Sequence, residues 1–187
     1  PFTTYAINEL RSKLSEGDVN GGEAKSIFVR ADENSSTGAV IQVGQFAGTV
    51  DFDPGAGVYN LSSNIENGFI LKLDNAGNFL WAKSIKSASA TRSFSIVIDD
   101  AGTVYSVGGF EGTADFDPGS GIYNLTAIDG ADIYISKLDA SGNYISVLTV
   151  GGTGFEYAID LKLDPANGDI YIAGSFDGTV DFDPGVG

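Results

Sequence analysis

The chain has 187 residues, with 10 lysines and arginines against 25 acids, a formal net charge of -15, and neither cysteine nor histidine. That field repels nucleic acid and anionic membranes, so neither is expected as a partner. Without thiols and imidazoles there is no disulfide, no thiolate nucleophile or metal site, and no histidine to act as general base.

The chain begins at Pro1 and contains no methionine, so a processed product or a piece of a longer polypeptide is expected. No apolar run approaches the ~20 residues of a membrane span, and no signal peptide is present, so membrane insertion is not expected. In residues 6–15, Ile7, Leu10 and Leu14 fall at helical spacing, but alignment with later segments favours a strand there. Residues 26–29 and 40–43 read as two short strands.

Next comes the phrase Gly-x-Phe-x-Gly-Thr-x-Asp-Phe-Asp-Pro-Gly at residues 44–55, which recurs at 108–119 and 174–185. One unit of about 65 residues is therefore repeated, and such units bury their apolar faces by stacking on one another. After the first phrase, residues 69–73 and 79–85 read as a third and a fourth strand, joined by the turn Asp74-Asn75-Ala76-Gly77-Asn78. The second unit repeats the series. Strands are read at 93–98, 103–107, 132–138 and 144–150, with a turn at 99–102, a loop carrying Ile122-Tyr123-Asn124-Leu125, and a turn at 139–143. A third unit opens with strands at 158–163 and 169–173.

Four short antiparallel strands per unit, joined by tight turns, predict an all-β fold of β-propeller blades, and a closed ring needs at least four of them. The predicted division is the end of a blade in residues 1–23, blades in 24–87 and 88–152, and the first half of a blade in 153–187. The chain is thus an incomplete ring, and its first expected partners are neighbouring blades of the same polypeptide.

The residues that carry candidate chemistry are the aspartate pairs Asp51 and Asp53, Asp115 and Asp117, Asp181 and Asp183. In an extended segment, residues i and i+2 share a face, with Phe52, Phe116 and Phe182 turned the other way, inward. Two readings follow. Calcium wants six to eight oxygen ligands and would accept such carboxylates. Turn chemistry wants the same residues: Asp-Pro-Gly suits a turn, its aspartate capping its own backbone, while the first aspartate caps another loop. Apart from calcium no cofactor is expected. Trp81, which aligns with Ser146, is either packing or part of a sugar-stacking patch. The glycines of 151–154 are followed by no helix, which argues against a phosphate cradle.

The run Ile-Tyr-Ile-Ser-Lys-Leu-Asp-Ala-Ser-Gly-Asn at 133–143 is followed by a strand and by Gly-Gly-Thr-Gly-Phe-Glu-Tyr-Ala-Ile-Asp-Leu-Lys-Leu-Asp at 151–164. Asp-Ile-Tyr-Ile-Ala-Gly-Ser-Phe comes next, at 169–176. Together these resemble the bacterial SBBP-type β-propeller repeat, in the variety with a Phe-Asp-Pro-Gly loop found in secreted and surface proteins of Bacteroidetes. The resemblance covers roughly residues 24–187. It implies a β-propeller and an extracellular or cell-surface location, and it carries no catalytic signature. The expected function is a non-enzymatic module for adhesion, surface display or protein interaction, with other surface proteins or glycans as further partners. The alternative is a glycan-binding or glycan-degrading propeller, but nothing singles out the carboxylate pair a glycosidase needs.

Overall fold

The computed structural model describes residues 23–31 and 39–183. These form an all-β chain of antiparallel sheets, with no helix among the described residues. The first sheet holds β1 (Glu23–Ala31), β2 (Val40–Asp51), β3 (Asn60–Leu73) and β4 (Phe79–Ser84) in sequence order. After the two-residue β5 (Lys86–Ser87), the same path recurs in β6 (Thr91–Ile98), β7 (Val104–Asp115), β8 (Asn124–Leu138) and β9 (Tyr144–Gly152). β10 (Tyr157–Leu163) and β11 (Ile170–Ser175) open a third unit, and β12 (Val180–Asp181) follows. The helix-or-strand segment at 6–15 and nearly all of the blade end read in residues 1–23 lie outside the described residues.

The two complete units share one register. Val40 pairs with Leu73 and Gly44 with Phe69 in the first; Val104 pairs with Leu138 and Gly108 with Tyr134 in the second. The tight turns are those read from sequence. In each of Asp74–Asn78 and Asp139–Asn143 the aspartate Oδ1 accepts two backbone N–H bonds and Oδ2 accepts the asparagine amide. Gly77 and Gly142 close them with φ of 85° and 77°, which L side chains rarely adopt.

The second and third strands run further than the sequence reading placed them. β7 does not stop at Val107, and Asn124 and Leu125 belong to β8 rather than to a loop. Pairing is interrupted by a bulge between Phe46 and Gly48 in the first unit and at Gly112 in the second. It then resumes as a distal arm, Gly48 to Asp51 against Asn60 to Ser63, and Thr113 to Asp115 against Asn124 to Thr126. Both bulge glycines have positive φ, so the strand bends there without ending. The Asp-Phe-Asp-Pro-Gly segment closes the tip of each arm.

Units are joined in two ways. β5, at the end of the first unit, pairs with Ala114 and Asp115 of the second unit's arm. One repeat later, Gly151 and Gly152 of β9 pair with β12 of the third unit. The second link is apolar. Ile41, Val43 and Ile70 of the first unit are buried against Ile96, Val104 and Leu138 of the second. Tyr105, Val107 and Ile133 of the second meet Ala158 and Leu161 of the third in the same way. At ~1.5–3 kcal/mol per buried aliphatic side chain, the six of the first junction are worth at most roughly 9–18 kcal/mol. Arg92, which crosses the same junction to Glu66 at 3.4 Å, is partly exposed and adds at most about 1 kcal/mol. Burial, not charge, holds the units together.

Candidate functional site: the aspartate loops

The loops that carry the paired aspartates are built identically. Asp51 Oδ1 accepts the N–H of Asp53 at 3.0 Å and of Tyr59 at 2.8 Å. Asp115 Oδ1 accepts those of Asp117 and Tyr123 at the same two distances. The first aspartate therefore ties the loop's beginning to its end. The second shapes the turn: Asp53 Oδ1 accepts Gly55 N–H at 2.7 Å, and Asp117 Oδ1 accepts Gly119 N–H at 2.8 Å. In the third copy, Asp181 Oδ1 accepts Asp183 N–H at 2.9 Å. The glycines follow from this. A Cβ on Gly57 would lie 2.2 Å from Asp53 Oδ2, and one on Gly121 would lie 2.1 Å from Asp117 Oδ2. The carboxylate occupies the space a side chain would need.

Between the aspartates, Phe52 and Phe116 turn inward and are buried. Phe52 stands edge-on to Phe46 and tilts on Phe69, and Phe116 does the same with Phe110 and Tyr134. Phe182 has its edge-on partner, Phe176, but both rings are exposed. At the loop's far end Tyr59 lies on Phe79 and Tyr123 stacks on Tyr144. Partial burial and the bond with Tyr123 push the Tyr144 hydroxyl up to about 12, so it stays neutral in ordinary conditions.

The same six aspartates are the residues read as calcium ligands. Among the described residues, no three of His, Cys, Asp or Glu gather closely enough to hold a metal ion. One oxygen of Asp51, Asp53, Asp115 and Asp117 is already on backbone amides. A calcium ion at a loop would have to draw most of its six to eight oxygens from carbonyls and water.

Trp81 serves the junction between units. Its indole Nε1–H donates to the carbonyl of Ala140 at 3.2 Å, which also accepts Lys72 Nζ at 3.0 Å, and the ring packs against the first inter-unit cluster. The Gly151-Gly152 pair forms strand pairs with β12, and Gly152 N–H donates to Glu156 Oε2 at 3.0 Å. A crevice between the first two units, lined by Ile70, Ile85, Phe116, Pro118 and Leu138 among others, measures about 10 Å³. That is room for one water at most, so it is no ligand pocket.

Sequence reasoning missed a buried acid pair at the second junction. Asp132 and Glu156 are both buried, and Asp132 Oδ1 and Glu156 Oε1 have no hydrogen-bond partner. Asp132 Oδ2 accepts Ile128 N–H at 3.1 Å. Burial first, and the negative charge of Glu156 after it, hold the Asp132 carboxyl above the usual carboxylate range. The signal lies in the repeat itself: Asn67 and Thr91 occupy the corresponding positions one unit earlier.

The sequence matches no family model. It is similar to an uncharacterised WD repeat-containing protein of Acanthamoeba polyphaga mimivirus, 32% identical over 146 residues, a match covering 70% of this chain and 10% of that protein. The chain therefore spans about a tenth of the length of the curated relative it matches.

Proposed function

We propose that the chain is a run of β-propeller blades of the SBBP type, acting as a non-catalytic module for protein interaction, adhesion or surface display outside the cell. The blade reading is supported by two four-stranded units of identical register, linked in series by one repeated junction. The likeness to a WD repeat-containing protein agrees with it, since WD repeats are propeller blades.

One observation carries the functional half. The polar side chains that recur from unit to unit make the same bonds to their own loop backbone in the first two copies, and Asp181 repeats the first of those bonds in the third. Recurring residues used in this way maintain architecture. Specificity then belongs to exposed loops and to neighbouring blades, as in other repeat arrays. The expected partners are those blades, together with surface proteins or glycans.

The test is a screen of the purified chain, and of any longer polypeptide that contains it, against glycan arrays, surface-protein extracts and glycoside substrates. Binding without turnover supports the reading. Glycoside turnover abolished by substituting a single carboxylate overturns it in favour of a glycan-degrading propeller.

A further inference from the structure

Five places in the chain set an asparagine or aspartate directly before a glycine. In such dipeptides the glycine nitrogen has no neighbouring side chain to shield it from the carboxyl or amide carbon before it. Asn20–Gly21 lies outside the described residues. The other four divide by what holds the glycine nitrogen. Asn67 is buried, and Gly68 N–H donates to Thr91 Oγ1 at 2.7 Å. Asn167 is exposed, but Gly168 N–H donates to the Asp164 carbonyl at 2.8 Å. Both ends of the Asn167 amide are also bonded to Asp169. In Asp129–Gly130 and Asp177–Gly178 the glycine N–H instead donates to the aspartate's own Oδ1, at 2.9 and 2.8 Å. There the nitrogen stands beside the side-chain carbon it can attack.

Asp129 is the one placed at a junction. It is exposed, on β8. Gly130 has a φ of 61°, and a Cβ there would lie 2.1 Å from the Gly154 carbonyl oxygen, so only glycine fits. One unit earlier the same two places hold Asn64 and Ile65, whose branched side chain crowds the nitrogen. The residues that follow tie β8 to the segment after β9. Ala131 N–H donates to the Gly154 carbonyl at 3.2 Å, and Glu156 N–H donates to the Ala131 carbonyl at 2.6 Å. Ile128 N–H reaches across Asp129 and Gly130 to Asp132 Oδ2 at 3.1 Å.

We propose that Asp129 is a site of spontaneous isomerisation to isoaspartate, and that the change opens the second junction. Gly130 N attacks Cγ of the protonated Asp129 side chain. The N–Cγ bond forms, the Cγ–OH bond breaks, and the hydroxyl leaves as water with the amide proton. Water then reopens the five-membered imide. Opening at Cγ restores aspartate. Opening at the main-chain carbonyl carbon routes the backbone through Cβ and Cγ and leaves a carboxylate on Cα. Mass is unchanged, and no oxidant or second reactant is consumed. The backbone gains one carbon inside the Ile128–Asp132 tie and two residues before Ala131. The bonds of Ala131 to Gly154 and Glu156 cannot then keep their register. The inference is independent of the adhesive role proposed above.

The test ages the whole chain in warm, mildly acidic buffer, folded and in concentrated urea. Isoaspartate is located by fragmentation mass spectrometry of peptides, with heavy-oxygen water marking each ring opening. In urea the asparagines should lead, because ammonia leaves without the prior protonation that an aspartate needs. In the folded chain the order should invert, with Asp129 at least about tenfold ahead of Asn67 and Asn167, and Asp177 following Asp129. Amide hydrogen exchange of the aged, folded chain should show lost protection at Ala131 and Glu156. Asp129→Glu keeps the charge but would have to close a six-membered ring, so that variant should keep its protection on ageing. Asparagines that lead in the folded chain as they do in urea, or an Asp129 that gains no heavy oxygen, overturn the proposal. Isoaspartate at Asp129 with protection unchanged overturns its link to the junction.

Discussion

The indole of Trp81, on the last strand of the first unit, hydrogen-bonds to the carbonyl of Ala140 in the β8–β9 turn of the second. Gly142, in the same turn, lies so close that a Cβ there would come within 3.2 Å of the ring. Together with Lys72, which donates to the same carbonyl at 3.0 Å, Trp81 thus helps fix the position of the next unit's hairpin, and Ser146 at the corresponding place one unit later cannot do the same.

Replacing Trp81 by serine should therefore loosen the junction. The loss combines a hydrogen bond with much of a large aromatic contact, about 2–3 kcal/mol. For a chain of this size that lowers the thermal midpoint by roughly 4–12 °C, which calorimetry would register. An unchanged midpoint, together with loss of sugar binding, would make Trp81 a stacking platform instead.

The aspartate loops predict a graded response. Asp115→Ala removes the acceptor of two backbone N–H groups at once, and should cost about 2–3 kcal/mol while releasing Phe116 from its seat. Asp115→Asn keeps an acceptor oxygen in place and should cost about 1 kcal/mol or less. Equal effects from the two substitutions would mean that the negative charge, not the hydrogen-bond geometry, is what the loop requires. Urea denaturation of the two variants makes the comparison.

Calcium binding, the other role read for these loops, is separable by chelation. With one oxygen of Asp51, Asp53, Asp115 and Asp117 on backbone amides, chelator is expected to leave the thermal midpoint unchanged. A fall on chelation that calcium reverses better than magnesium would instead establish a metal role, worth roughly 2.7 kcal/mol at a hundredfold excess over Kd. The variant carrying Asp115→Asn and Asp117→Asn should then lose the response.

Much of the strand pattern was legible because alternating apolar residues and Asp-x-x-Gly-Asn turns are local signals. The length of the central hairpin was not. Gly108 and Gly109 look like the end of a strand, yet β7 runs straight through them. They are glycine because neighbours approach closely: a Cβ on Gly108 would lie 1.8 Å from the Arg92 carbonyl oxygen, and one on Gly109 would lie 2.4 Å from the Tyr157 ring. Sequence does not distinguish a glycine that turns from one that makes room. The role of the aspartates as loop ties could be read from Asp-Pro-Gly, but their reach to Tyr59 and Tyr123 could not. The Asp132–Glu156 pair was hidden because 24 residues separate its members and only the stacked third unit brings them together.

That pair gives the last prediction. Burial and the charge of Glu156 raise the folded-state pKa of Asp132, so in the window just above the ordinary carboxylate value the folded chain holds a proton that the unfolded chain has released. By linkage, stability then falls as pH rises through that window, and the penalty is fully present above it. Asp132→Asn should remove the penalty. The substitution restores the residue type found at Asn67 in the first unit. At neutral pH the variant should be more stable by about 1 kcal/mol, a midpoint rise of roughly 2–4 °C. The difference should shrink as pH is lowered toward about 4, where folded Asp132 takes up its proton and the unfolded chain is about half protonated. Thermal melts of the two proteins between pH 4 and 8 test this. A variant that is less stable at neutral pH, or a difference that does not narrow in acid, would show that the Asp132 carboxylate is stabilised at the junction by its surroundings.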